Sequence, residues 1–270
     1  MTRSARFATA LLSLCAVALA QHVGTQRGTM ASAVKDATAI PIIEAALAAS
    51  GIQQTPTDAV LVGILMQAAS GRTANVPIVF KCKGSQLAKI EVQQPKGMIV
   101  SIINRGRGVL ERPDGTVIDL LSNNTMIARA EYIPVFSLLA EYQDSGMSVE
   151  NQGTAQVLGH TATIVALRPL PNPNVTQALL GKYVSKTKFY VDQSSNLVVK
   201  IERTNFAEND TSFGQKIEIY LSDYRFVNGV LVPFKQTEFH DGQLDSDLIV
   251  RSVTLNTGLS DSEFSLPEAK

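Results

Sequence analysis

The sequence predicts a mainly β protein of the α+β class: a strongly curved antiparallel sheet of about 10–11 strands with two or three short helices packed against its concave side. Three observations carry this. After Gly51 apolar and polar residues alternate through most of the chain, the period of a half-buried strand. The dipeptides Asp114-Gly115, Asn228-Gly229 and Asp241-Gly242 punctuate that alternation, and such pairs suit hairpin turns whose central residues take positive φ. Helical periodicity appears only in short stretches, without the strand–helix alternation that builds a parallel sheet.

The chain has 270 residues. Residues 1–20 read as a secretory signal. Arg3 and Arg6 are its positive start, Phe7 to Leu19 its apolar run, and Ala18-Leu19-Ala20 a small-x-small cleavage site after Ala20. That run, about a dozen residues, is too short to span a bilayer, which takes about 20. Lipidation at Cys15 is an alternative that Leu14 disfavours, because a small residue normally precedes a lipidated cysteine. No later stretch holds 18 uninterrupted apolar residues. Residues 21–37 are polar and unpatterned and read as a flexible leader; 38–270 then form one domain.

Composition limits the function. Without Arg3 and Arg6, 22 basic residues face 24 acidic ones, a net charge of −2, which argues against nucleic acid as a partner. Cys82 is left as the sole cysteine, so no internal disulfide can form and the fold rests on its core. With no Trp and 6% aromatics, that core is mostly aliphatic.

Thr38 to Ser50 predicts a helix: Ile40, Ile43 and Leu47 are spaced by three and four, Pro41 suits the first turn and Gly51 the stop. Asp58 to Ala69 reads as a strand with Val60, Val62, Ile64 and Met66 on one face. Strands follow at Pro77–Lys83, Leu87–Gln93 and Met98–Asn104, with Pro95-Lys96-Gly97 as a turn, and at 108–111 and 116–120. Glu131 to Tyr142, with Tyr132, Val135, Phe136, Leu139 and Tyr142, predicts a short amphipathic helix. Pro169 to Asn174 is a rigid loop and 175–181 a helical turn or two. The last third is a meander of strands at 186–192, 197–205, 215–226, 230–240 and 243–256. Lys186, Lys188, Lys216 and Glu218 place charge on one face of these strands, so one side meets water and the apolar side must be covered.

Catalytic patterns are missing. There is no H-E-x-x-H, G-x-S-x-G, Walker loop or G-x-G-x-x-G, and 105–108 (Arg-Gly-Arg-Gly) lacks phosphate-loop spacing and reads as a hairpin bend. Ser32/Lys35 and Ser185/Lys188 match S-x-x-K without the partner motifs of penicillin-recognising enzymes. His22, His160 and His240 share no paired metal-ligand spacing and read as leader or turn histidines. Glu202, Glu208, Asp210, Glu218 and Asp223 read as solvated carboxylates. Cys82, between Lys81 and Lys83, is either a thiol of lowered pKa or a half-buried strand cysteine. Asn123, Asn174 and Asn209 open glycosylation sequons, a pattern short enough to recur by chance. No cofactor and no metal is called for.

The last third also carries a resemblance. Phe189-Tyr190-Val191-Asp192 with Leu197-Val198-Val199-Lys200, Ser222-Asp223-Tyr224-Arg225, Asn228-Gly229-Val230-Leu231-Val232-Pro233-Phe234, Asp241-Gly242, Val250-Arg251-Ser252-Val253 and Asn256 to Phe264 resemble the periplasmic lipoprotein-carrier (LolA/LolB-like) superfamily, in particular an exported branch common in soil acidobacteria. The resemblance is clearest over 186–267. It implies a half-open barrel with helices as a lid over an apolar cavity able to take acyl chains. The carriers' lid-locking arginine matches no residue here, so the shape of the site carries over and the shuttle role does not.

The expected function is therefore non-enzymatic: an exported, monomeric binder or carrier of a lipid, lipoprotein or other apolar ligand, held in a groove lined by Ile99, Phe136, Leu139, Phe189, Ile219 and Phe234. The alternative is a cell-envelope structural or protein-interaction module with a filled core. An enzyme would require a catalytic set in one cleft, such as His160 or His240 beside carboxylates.

Overall fold

The computed structural model describes residues 33–51, 56–69, 72–120, 125, 133–170, 186–207 and 210–267. The signal, nearly all of the leader, His22, Ser32, the turns expected at 175–181, Ser185 and the three sequon asparagines lie outside the described residues. No helix among the described residues is long and apolar enough to cross a membrane.

Among the described residues thirteen strands form one antiparallel, curved, unclosed sheet. They are β1 (Asp58–Ala69), β2 (Arg72–Lys83), β3 (Leu87–Gln94), β4 (Gly97–Asn104), β5 (Arg107–Glu111), β6 (Val117–Leu120), β7 (Met147–Val157), β8 (His160–Pro169), β9 (Thr187–Asp192), β10 (Val198–Ala207), β11 (Asp210–Val227), β12 (Val230–His240) and β13 (Gln243–Leu255). The order β6-β5-β4-β3-β2-β1-β13-β12-β11-β10-β9-β8-β7 is two meanders joined where β1 pairs with β13, leaving β6 and β7 as edges. The anticipated turn residues stand at the hairpins: Asn228, Gly229, Asp241 and Gly242 all have positive φ. Two strands beyond those anticipated, β7 and β8, occupy 147–169; a bulge between Asn151 and Thr154, with Gly153 at φ 83°, interrupts their alternation.

The expected N-terminal helix is α1 (Ile40–Ala49), with Pro at its start and Gly51 (φ 89°) beyond its end. The described end of the leader runs onto the β7 edge. Lys35 makes a parallel bridge to Val149, and Asp36 accepts from the Asn151 amide at 3.0 Å.

One element differs from its sequence reading. The described part of Glu131–Tyr142 is not an α-helix but two 3-10 turns, Pro134–Phe136 and Leu138–Glu141, split by Ser137 in extended conformation. Pro134 has no amide hydrogen, and the Ser137 hydroxyl donates to the Pro134 carbonyl at 2.6 Å while accepting from the Leu139 amide. The break turns Val135 and Phe136 toward one half of the core and Leu138 and Leu139 toward the other.

Two core clusters fill the concave side. The first joins Leu61, Phe80 and Cys82 with Val232, Leu248 and Phe136; the second joins Ile43 of α1 with Leu139, Val165, Phe189, Ile201 and Ile219. On the opposite side Phe264, from the C-terminal 3-10 turn Asp261–Phe264, packs with Leu87, Ile102 and Val109. Cys82 is wholly buried in the first cluster, not half-buried, and burial pushes its thiol pKa up, opposite to the lowered value that a reactive thiol would have.

Candidate functional site

Strand alternation and register place the candidate residues. Along each strand every second side chain enters the concave side. Ala59, Cys82, Ala88 and Ile103 form one cross-strand row, Leu61, Phe80, Ile90, Ser101, Leu110 and Ile118 the next, and Gly63, Ile78, Val92 and Ile99 a third. Burial falls along these rows. Phe80 and Ile78 are sealed, whereas Leu65, Ile90, Val92, Ile99, Leu110 and Ile118 are only half-buried. The concave side thus has a packed part, under α1 and the 3-10 turns, and a strip of accessible aliphatic side chains on β1 and β3–β6.

The six groove residues read from the sequence divide between these parts. Phe136 and Phe234 lie in the first cluster, and Leu139, Phe189 and Ile219 in the second. Phe136, Leu139 and Phe189 are at most 1% exposed, closed off by the chain itself. Ile99 lies in the half-buried strip, opposite Val92. The structure therefore puts five of the six in the packed part and one on the accessible face. The half-buried strip also holds Leu65, Ile90, Val92, Leu110 and Ile118, which the sequence reading did not name; their alternation was visible, but not which strands α1 and the 3-10 turns leave uncovered.

Polar groups rim the concave side. Gln94 donates to Gln67 at 2.6 Å. Arg225 stands 4.5 Å from the Phe234 ring centroid and pairs with Asp223, whose carboxyl it holds below the usual range. The convex face carries the expected charge: Lys188, Lys200 and Lys216 interlock with Glu202 and Glu218, and the Lys200 ammonium lies 4.7 Å from the Tyr190 ring centroid. Burial alone would raise the Glu202 carboxyl, but hydrogen bonds from Lys188 and Tyr190 outweigh it and hold the pKa at about 2. Lys200 is 8% exposed and the Glu202 and Glu218 side chains 13%, so these two carboxylates belong to a half-buried ion-pair network and are not the solvated groups expected from the sequence.

Both described histidines stand beside carboxylates. His160 Nδ1 is 3.8 Å from Asp192, and His240 lies between Glu238 at 2.8 Å and Asp245 at 3.5 Å. Both show the histidine–carboxylate proximity that an enzymatic reading would need, and among the described residues neither imidazole hydrogen-bonds a hydroxyl or thiol.

No family model matches the sequence, and no curated protein matches it. Solved structures do match. A candidate outer-membrane lipoprotein-sorting protein domain from Vibrio parahaemolyticus is similar at 11% identity and TM-score 0.56, over 84% of this chain and 97% of that one. A LolA superfamily protein from Nitrosomonas europaea is similar at 15% identity and TM-score 0.55, with the same coverage of both chains. A DUF1329 family protein from Desulfovibrio piger is similar at 12% identity and TM-score 0.53, again over 84% of this chain and 97% of that one. At these identities the likeness concerns architecture alone: the chain shares with these structures a curved, unclosed antiparallel sheet.

Proposed function

We propose that the chain is a non-enzymatic exported protein, periplasmic or secreted, that binds or carries an apolar ligand such as an acyl chain, a lipid or a lipoprotein. The observation that carries this reading is the half-buried aliphatic strip Leu65, Ile90, Val92, Ile99, Leu110 and Ile118, continuous with a packed core but not closed by it. Contiguous apolar side chains on a concave face are where an apolar ligand is accommodated. The LolA superfamily likeness supports the reading through fold alone, and the signal read at residues 1–20 supports export. The ligand lies along Ile99 and its neighbours, with Phe136, Leu139, Phe189, Ile219 and Phe234 as the apolar mass behind. No cofactor and no nucleic acid takes part.

The test is to purify the protein from its native host, extract it with organic solvent and analyse the extract by mass spectrometry. A stoichiometric lipid supports the proposal; an extract free of lipid contradicts it.

A second reading has its own observation. Phe136, Leu139 and Phe189 are sealed, as in a filled core, and a filled core suits an envelope structural or protein-interaction module. Affinity capture that returns a stable envelope protein and no lipid would favour it.

A further inference from the structure

We propose that Glu238, His240 and Asp245 form a binding site for a divalent transition-metal ion of the zinc class, at the rim of the concave side beside the β12–β13 hairpin. Glu238 and His240 are two apart on β12 and share a face. They belong to the alternating set that includes Val230, Val232 and Phe234, so both face the concave side. Asp245 is brought to them by a β-bulge. Phe239 pairs with Leu244 and Glu238 with Ser246, so Asp245 is the extra residue, and bulges characteristically re-aim a side chain. The hairpin itself is fixed at Asp241, whose carboxylate accepts from the Lys216 amide at 2.9 Å.

The donor atoms are close enough for one ion. One ligand atom from each residue lies within 4.8 Å of the others, and Glu238 Oε1 is 2.8 Å from His240 Nε2. Bonds of about 2.0–2.2 Å to an ion in tetrahedral geometry put ligand atoms roughly 3.4 Å apart. Glu238 faces Nε2 of His240 and Asp245 faces Nδ1 at 3.5 Å, so an ion on Nε2 requires the 2.8 Å Glu238 contact to open and Asp245, whose side chain is 44% exposed, to swing round the ring. One imidazole with two carboxylates suits zinc and its neighbours and leaves further coordination positions for water. All three residues are half-buried, so their negative charge is only partly screened.

Protons compete for the same imidazole. The hydrogen bond to Glu238 raises the His240 pKa against its burial, the charges of Glu238 and Asp245 add to the rise, and Arg203 on β10 opposes it. A protonated imidazole cannot ligate a metal, so binding weakens in acid. Arg203 opposes a bound cation as it opposes the proton, which weakens the site without removing its donors.

The experiment is isothermal titration of the purified chain with zinc ion at pH 7.5 and 5.5, repeated with cobalt(II) to read the visible d–d bands of a low-symmetry site. The expected result is saturable binding at pH 7.5, lost at pH 5.5. Glu238→Gln, His240→Gln and Asp245→Asn should each weaken it by at least about tenfold, the scale at which even outer-shell partners of metal sites act. His160→Gln, at the other carboxylate-flanked histidine, should leave it unchanged. Circular dichroism establishes that each variant is folded, and Asp245→Asn, at the most exposed ligand, serves if His240→Gln is not. The absence of saturable zinc binding, or zinc binding that survives both His240→Gln and Asp245→Asn, overturns the proposal.

Discussion

Replacing Asp58 by Ala should unlatch the C-terminal segment from the sheet. Asp58 opens β1 and is 1% exposed. Its carboxylate accepts from the Thr257 amide and hydroxyl, both at 2.6 Å, from the Gly258 amide at 3.0 Å, from the Leu259 amide at 3.3 Å and from the Thr57 hydroxyl at 3.2 Å. Those amides lead directly into the turn that buries Phe264 against Leu87, Ile102 and Val109. A hydrogen bond to a charged group contributes about 1.5–3 kcal/mol net, so losing two strong ones and leaving their donors unmatched costs on the order of 3–5 kcal/mol. Asp58→Asn keeps one acceptor oxygen and should cost about 2 kcal/mol. Burial raises the Asp58 carboxyl, but the hydrogen bonds from Thr257 and Gly258 outweigh it and hold it below the ordinary value. A depressed carboxyl stabilises above its unfolded pKa of about 3.9, and that contribution is lost as pH falls through the folded value. The gap between wild type and Asp58→Ala in urea unfolding should therefore be full at pH 7 and narrow below about pH 4. A difference under about 0.5 kcal/mol at pH 7, the size of an ordinary surface substitution, would refute the latch.

Other outcomes follow from the same contacts. Phe136→Ala should cost about 3–5 kcal/mol in denaturant unfolding, because the side chain is fully buried where the 3-10 turns cover the first cluster. Gly51→Ala should lower the melting temperature measured by circular dichroism, since Gly51 has φ 89° and a Cβ there would stand 2.0 Å from the Gly229 carbonyl oxygen. Asp192, held at about 2 chiefly by the Ser194 hydroxyl, and Glu202, also at about 2, each stabilise the fold above their unfolded pKa values of about 4; that part is lost as pH falls toward 2, and an acid titration of Glu202→Gln should lack its share.

What the sequence displayed depended on which interactions decide each element. The β11–β12 and β12–β13 hairpins were legible because Asn228-Gly229 and Asp241-Gly242 supply positive φ locally. The strands β7 and β8 were not, since Gly153 and the bulge break the period over a polar edge, Asn151 to Thr154. Residues 131–142 had helical spacing, but Pro134 and Ser137 divide the described part into two turns that serve two clusters. The alternation of Ile99 with its neighbours shows two faces without saying which one is covered; that depends on the path of the lid. Bulky residues were chosen as groove candidates, and bulk is also what a core selects, so five of the six lie in packed clusters. Glu238, His240 and Asp245 meet only through a bulge across a hairpin, which spacing along the chain does not display.

The most direct test of an apolar ligand on the concave strip is titration of the protein with a fluorescent fatty acid, for wild type and for Val92→Asp and Ile99→Asp, two half-buried positions paired across β3 and β4. The account predicts saturable binding by wild type and its loss in both variants while circular dichroism and the urea midpoint stay near wild type. Wild-type protein that ignores the probe, or variants that bind it undiminished, would contradict it.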